Sequence, residues 1–157
     1  MGPSNDKSAV WYEKGLPFKC TGCGKCCTGV SGCVWVNEEE VKSICEHLDV
    51  PFEDFCRDYL DIVDGRWSLK EIKITKDCYD CIFLNEKKCM IYSVRPVQCR
   101  TYPWWPMNLE SEQRWQETAK ECEGINPSAP VVPFEKIQES LQKLCEARNQ
   151  DIKRGIP

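Results

Sequence analysis

Histidine is all but missing from this chain: His47 is the one residue of its type in 157. No Ser/His/Asp or Cys/His catalytic set can be built around a single imidazole in a charged segment, and His47 reads as a solvated or half-buried side chain. Long hydrophobic runs are missing too. No stretch approaches the 18 or so apolar residues of a spanning helix, so no membrane association is expected. Excess basic charge is absent, with 21 Lys and Arg against 25 Asp and Glu, a net charge of -4 and a pI near 5.2. Generic nucleic-acid affinity is therefore not expected. No glycine-rich strand-to-helix turn for a nucleotide-like cofactor is visible, nor any repeat or low-complexity tract. The start MGPSNDKSAV lacks the charged head and apolar stretch of a secretory signal. The expected location is the cytoplasm or another reducing compartment, an organelle if a transit peptide has been removed.

Cysteine is what the chain has in excess, 13 residues, about 8% of the whole and far above ordinary usage. The count is odd, no secretory signal precedes it, and the thiols cluster in short-spaced motifs, all of which favour metal ligation over a disulfide scaffold. The stretch FKCTGCGKCCTG packs Cys20, Cys23, Cys26 and Cys27 into one loop. Its first three form C-x2-C-x2-C, the run with which ferredoxins wrap three corners of an iron-sulfur cubane. Adjacent side chains diverge by about 100° on a helix and about 180° on a strand, so Cys26 and Cys27 are expected to serve two metals or two irons of one assembly. Cys81, Cys89, Cys99 and Cys122 supply four further thiols, and eight thiols suit two four-ligand sites. Lys25 and Arg100 are placed to offset their negative charge. Thiolates of this kind choose between zinc and iron-sulfur. Cys78 makes a CxxC with Cys81, readable as a zinc knuckle or a redox pair.

The remaining sequence predicts an α+β fold: a small, irregular, metal-centred domain with short strands and a hairpin, several short helices and a C-terminal amphipathic helix. SGCVWV is β-prone. NEEEVKSICEHL opens a helix at Asn37 with Glu40 completing a capping box, and Val41, Ile44, Cys45 and Leu48 share its inner face. The acidic run Glu38 to Glu40 reads as a solvated helix start favoured by the dipole. VPFEDFCRDYL gives a second helix with Phe52, Phe55, Cys56 and Tyr59 on one stripe. After a turn at Asp64-Gly65, RWSLKEIKIT alternates imperfectly, as a strand with a β-bulge would. CIFL and CMIY form a hairpin about NEKK, bringing Cys81 and Cys89 together. Ser93 caps a short helix that delivers Cys99, PWWP is extended with its aromatics roofing the metal or filling core, and Ser111 caps a helix that ends at Gly124. Residues 11–125 form the cysteine-cluster domain. Residues 126–157 supply a Pro-rich break and a helix packed on that domain through Phe134, Ile137, Leu141, Leu144, Arg148 and Ile152, with Cys145 at the stripe's border as a core thiol.

Four motifs in order, FKCTGCGKCC (18 to 27), DCIFL (80 to 84), CMIYSVRPVQCRTYP (89 to 103) and CEGI (122 to 125), resemble the YkgJ-type cysteine-cluster family, described as zinc- or iron-chelating. The resemblance implies an eight-thiol metal module with Cys20, Cys23, Cys26, Cys27, Cys81, Cys89, Cys99 and Cys122 as ligands. Cys33, Cys45, Cys56, Cys78 and Cys145 lie outside its pattern. The flagellin lysine methylase family is similar in its cysteine motif but carries much more chain. The expected function is a metal-binding protein holding iron-sulfur or zinc, in electron transfer or metal handling; the alternative is a zinc-structured module that presents a surface to a protein partner, with a methyltransferase-related enzyme behind both.

Overall fold

A computed structural model describes residues 10–153, with side chains to 148; the chain start and the Ile152 side chain lie outside the described residues. In chain order the elements are β1 (Leu16–Pro17), β2 (Thr28–Gly29), α1 (Glu38–Leu48), α2 (Phe52–Tyr59), β3 (Leu60–Val63), β4 (Arg66–Leu69) and β5 (Glu71–Thr75). They continue as β6 (Cys78–Cys81), β7 (Leu84–Asn85), β8 (Lys88–Cys89), α3 (Val97–Arg100), α4 (Pro106–Leu109), α5 (Glu112–Glu121), β9 (Val131–Val132) and α6 (Phe134–Lys153). This is the expected α+β content. The described residues divide into two compact units, the first from 10–21 and 103–142, the second from 22–102 and 143–153.

The second unit folds around Val41, Ile44, Cys45, Phe55, Leu60, Leu69, Phe83 and Ile91. Its first helix begins as the capping box requires: Asn37 Oδ1 accepts the Glu40 N–H at 2.8 Å, and Glu40 Oε1 accepts the Asn37 N–H at 3.1 Å. Val41, Ile44 and Cys45 are buried along that helix, and His47 lies exposed in its last turn. Phe55 stacks on Phe83 with ring centroids 6.0 Å apart, and Tyr59 joins them at 5.2 Å from Phe83. A hairpin follows, β3 against β4, around Asp64 and Gly65, both at positive φ. β3 was not anticipated, because DYLDIV continues the preceding helix without a break signal.

The imperfect alternation of RWSLKEIKIT has a different cause from a single bulged strand. β4 ends at Leu69, Lys70 breaks the run, and β5 pairs with β6 in another sheet, ordered β2-β6-β5. A register shift does occur, between Lys73 and Thr75 within β5. SGCVWV makes only an isolated bridge, Trp35 to Ser68, steadied by the Val36 N–H to Trp67 O bond at 3.1 Å.

The first unit has its own core of Tyr12, Leu16, Trp104, Leu109, Trp115 and Ile137. Trp104 stacks on Trp115 at 5.1 Å and 11°, so the tryptophan of PWWP that is buried fills core. Ser111 caps α5, its hydroxyl accepting the Arg114 N–H at 3.1 Å. Within NPSAPVVP the chain forms β9, which pairs with β1, a two-residue contact too short to leave a sequence signal. In α6, Ile137 and Leu144 are buried as the stripe predicts. Cys145 is exposed, a correction to its reading as core: one position past Leu144, it is rotated about 100° off the stripe.

Candidate metal centre

Two thiols of the second unit are held by the same local device. Cys81 ends β6, and two residues on, Phe83 is 1% exposed; Cys89 ends β8, and two residues on, Ile91 is also 1% exposed. Each buried residue anchors the chain while its backbone N–H donates to the sulfur two residues back, Phe83 to Cys81 and Ile91 to Cys89. Metal thiolates are stabilised by donors of this kind, which stay in place when the proton leaves. The two segments are tied by β7 and β8, with Leu84 opposite Cys89, and by the Met90 N–H to Phe83 O bond at 2.8 Å. The hairpin is tighter than expected. It turns on Glu86 and Lys87 alone, both at positive φ, not on the whole of NEKK.

The cysteine loop docks against that turn through Gly24. At φ +76 Gly24 adopts a left-handed backbone, and a Cβ there would stand 2.5 Å from the Lys87 carbonyl oxygen. A 3-10 turn, Lys25–Cys27, follows at once, and Thr28 leaves it in extended conformation for β2, which pairs with β6. Cys26 sits inside the turn and Cys27 at its exit, so neither ideal helix nor ideal strand divergence applies to them. Their sulfurs converge to 3.9 Å. Hydrogen bonding with Cys26, and then with Cys89, raises the Cys27 thiol above its ordinary value. The hydrogen bond from Cys27 in turn pulls Cys26 down to about 7 and Cys89 down to about 6.

Cys99 arrives on α3. Burial, followed by the neighbouring Cys81, Cys26 and Cys89, pushes its thiol up to about 12, and burial likewise raises Cys81. Arg95 opposes this accumulation, favouring the thiolates of Cys26, Cys89 and Cys99. Its guanidinium stacks 3.8 Å from the Tyr92 ring centroid and its Nε–H donates to Tyr92 O at 2.9 Å. Sequence reasoning named Lys25 and Arg100 for this role and missed Arg95, four residues before Cys99. Ser93 does not cap α3; it lies in the 3-10 turn Tyr92–Val94, and Pro96 precedes the helix. The Val97 N–H goes instead to Glu40 Oε2 at 2.6 Å, so Glu40 is more than part of a solvated acidic run.

Cys26, Cys27, Cys81, Cys89 and Cys99 thus form one group of mutually interacting thiols in the second unit. Among the described residues no three His, Cys, Asp or Glu side chains are drawn together as a finished ion cage. What the chain presents is a set of soft donors with charge compensation and backbone donors in place, and this suits a thiolate-bound metal. Cys23 is half-buried in the same unit. In the first unit Lys19 N–H bonds Gly124 O at 3.0 Å and Thr21 Oγ1 bonds Glu123 Oε1 at 2.6 Å, which lays the segment of Cys20 alongside that of Cys122. Of the others, Cys78 meets the Thr28 hydroxyl at 3.5 Å, Cys45 is buried in core, and Cys33 and Cys56 are half-buried.

A chain whose sulfur donors gather on short, separately anchored segments belongs to the metal-chelating cysteine-cluster class. Residues 19–123 match the family model CxxCxxCC, described as "Putative zinc- or iron-chelating domain", and the protein is a member of that family and binds metal. A Methanocaldococcus jannaschii protein, named "Uncharacterized protein MJ0661", is 33% identical over 96 residues, which are 59% of this chain and 48% of the relative. The chain spans about half the length of that curated relative. No solved structure matches it.

Proposed function

We propose that the second unit binds a tetrahedral metal ion through cysteine thiolates, that zinc is the ion the geometry suits best, and that Cys26 and Cys27 are both ligands of that one ion. Cys81, Cys89 and Cys99 are the source of the remaining ligands. The observation that carries this is the 3.9 Å separation of the Cys26 and Cys27 sulfurs. At a zinc–sulfur distance of about 2.3 Å the edge of a regular tetrahedron is about 3.8 Å. A cubane takes one thiolate at each iron, which sets neighbouring ligand sulfurs further apart. Zinc bound here supplies a redox-inert cross-link, so the role that follows is structural: a folded knot presented to a protein partner. Cys20, Cys23 and Cys122 are assigned to metal binding on family resemblance alone.

An iron-sulfur centre serving electron transfer is the second reading, favoured by the C-x2-C-x2-C spacing of Cys20, Cys23 and Cys26. Purification under strict anaerobiosis from iron-supplemented cells separates the two, since thiolate sites accept the wrong metal when the right one is lost. Zinc with no visible absorbance is the expected result. A brown protein with iron and acid-labile sulfide would overturn the zinc assignment.

A further inference from the structure

Two polar side chains outside the thiol set fix the turn that carries Cys99. We infer that Glu40 and Gln98 are positioning residues of the metal centre, governing how firmly Cys99 is held to the ion. This rests on the reading above and, within it, on Cys99 being one of the two thiols that complete the ion's four ligands.

The helix α3 has only four residues, and Pro96 before it makes no side-chain cap bond, so its first N–H needs an acceptor from elsewhere in the chain. Glu40 provides it. One carboxylate oxygen takes the Val97 N–H at 2.6 Å while the other takes the Asn37 N–H at 3.1 Å. A single carboxyl group thereby joins the starts of α1 and α3, which are far apart in sequence. Only a carboxylate offers two equivalent acceptor oxygens for this; the amide of glutamine has one.

Gln98 secures the same turn from its other side. Its Oε1 accepts the Trp35 N–H at 3.0 Å and its Nε2 donates to Cys33 O at 2.8 Å. The amide therefore meets the backbone on either side of Val34 much as a strand partner would. Thr101 Oγ1, donating to Val97 O at 2.8 Å, closes the turn from within. Cys99 follows Gln98 directly, so its sulfur is placed by the Glu40 and Gln98 contacts together. Neither residue carries a donor suited to a soft metal in this role, and neither is needed for the two apolar cores.

The test uses the full chain loaded with Co(II), whose thiolate charge-transfer band reports bound ligands, and follows transfer of the ion to EDTA. Glu40→Gln and Gln98→Ala are each expected to speed release about tenfold or more, since the first leaves one acceptor oxygen for both the Asn37 and Val97 N–H groups and the second removes both amide bonds of Gln98. Asn37→Ala removes the α1 cap bond but leaves the carboxylate on Val97, and should stay within about twofold of wild type. Release at the wild-type rate in both Glu40→Gln and Gln98→Ala overturns the inference, as does equal acceleration by Asn37→Ala, which would reduce the effect to helix stability. If Glu40→Gln fails to fold, Gln98→Ala against Asn37→Ala decides the matter. Cys99→Ser separates the two levels: an unchanged cobalt band there sinks the assignment of Cys99 as a ligand, whereas a lost band with unaffected positioning variants sinks only the inference.

Discussion

Replacing Cys26, Cys27 or both by serine asks directly whether two adjacent thiols share an ion. Their sulfurs stand 3.9 Å apart, within about 0.1 Å of the edge expected for two thiolates on one tetrahedral zinc. Apparent zinc affinities of structural thiolate sites run to about 10–16 kcal/mol, so one ligand of four carries about 2.5–4 kcal/mol, or about 10² to 10³ in affinity. An alcohol stays protonated and is a poor soft-metal ligand, so serine forfeits nearly all of that. Ligands of one ion are strongly non-additive once the ion has gone. Cys26→Ser, Cys27→Ser and the double variant should therefore lose the same number of ions per chain, measured by mass spectrometric metal analysis after equilibration with a chelator of known affinity. A double variant that loses twice the metal of either single one would refute the shared ion and restore a two-metal arrangement. Full retention in Cys27→Ser would remove it from the ligand set.

Gly24→Ala should weaken metal binding and destabilise the fold by about 1–2 kcal/mol or more, read as a lower melting temperature, because it combines a left-handed backbone with a Cβ 2.5 Å from Lys87 O; an unchanged melt would mean the loop does not dock as described. In metal-free, reduced protein, iodoacetamide mapped by peptide mass should label Cys89 and Cys26 first as pH rises from 5 to 8, since thiolates lowered to about 6 and about 7 form in that window. Cys45 and Cys56, both raised by burial, should label slowly throughout, and the reverse order would contradict the hydrogen-bonding scheme. Trp115→Ala, deleting a side chain 3% exposed, should cost about 3–5 kcal/mol in chemical denaturation, against less than about 0.5 kcal/mol for Cys145→Ser at its exposed position.

Where one element carries its own signal, the sequence was sufficient. The Asn37 and Glu40 pair announced α1, Ser111 announced α5, and the three- and four-residue steps of Phe134, Ile137, Leu141 and Leu144 announced α6. The β content was legible only in part, because among the described residues every strand but β5 has four residues or fewer, and two-residue pairs such as β1 with β9 leave no periodicity. The approach of Cys81 to Cys89 was legible from the hairpin pattern, and the wider set with Cys26, Cys27 and Cys99 from the family resemblance. The convergence of the Cys26 and Cys27 sulfurs was not, because it depends on a 3-10 turn that ends between helix-like and strand-like geometry. Arg95, Glu40 and Gln98 were illegible as a group, since each acts through a partner set by tertiary contact, and Glu40 in particular looks in sequence like any acidic first turn.

The thiols of the second unit differ in how their segments are anchored, and this bears on what metal does for the fold. Cys81 and Cys89 each sit two residues before a side chain that is 1% exposed, so apolar burial alone can place their backbone. The Cys99 turn is held by the Val97 N–H donating to Glu40 and by the Gln98 amide donating to Cys33 O. The 3-10 turn bearing Cys26 and Cys27 contains no buried residue at all and is steadied by the close approach of Gly24 to Lys87 and by the short pairing of β2 with β6. A segment with so little apolar contact opens at low free-energy cost unless something else ties it down. Under the proposed ligation metal is that tie: a bond from the ion to Cys26 and Cys27 would fasten the weakest segment to sulfurs whose own segments are already fixed by the core. Binding energy is then spent on ordering one loop against a preformed receiving face, which is why two adjacent cysteines are more useful there than two spaced ones, since both grip points fall on the single turn that most needs them.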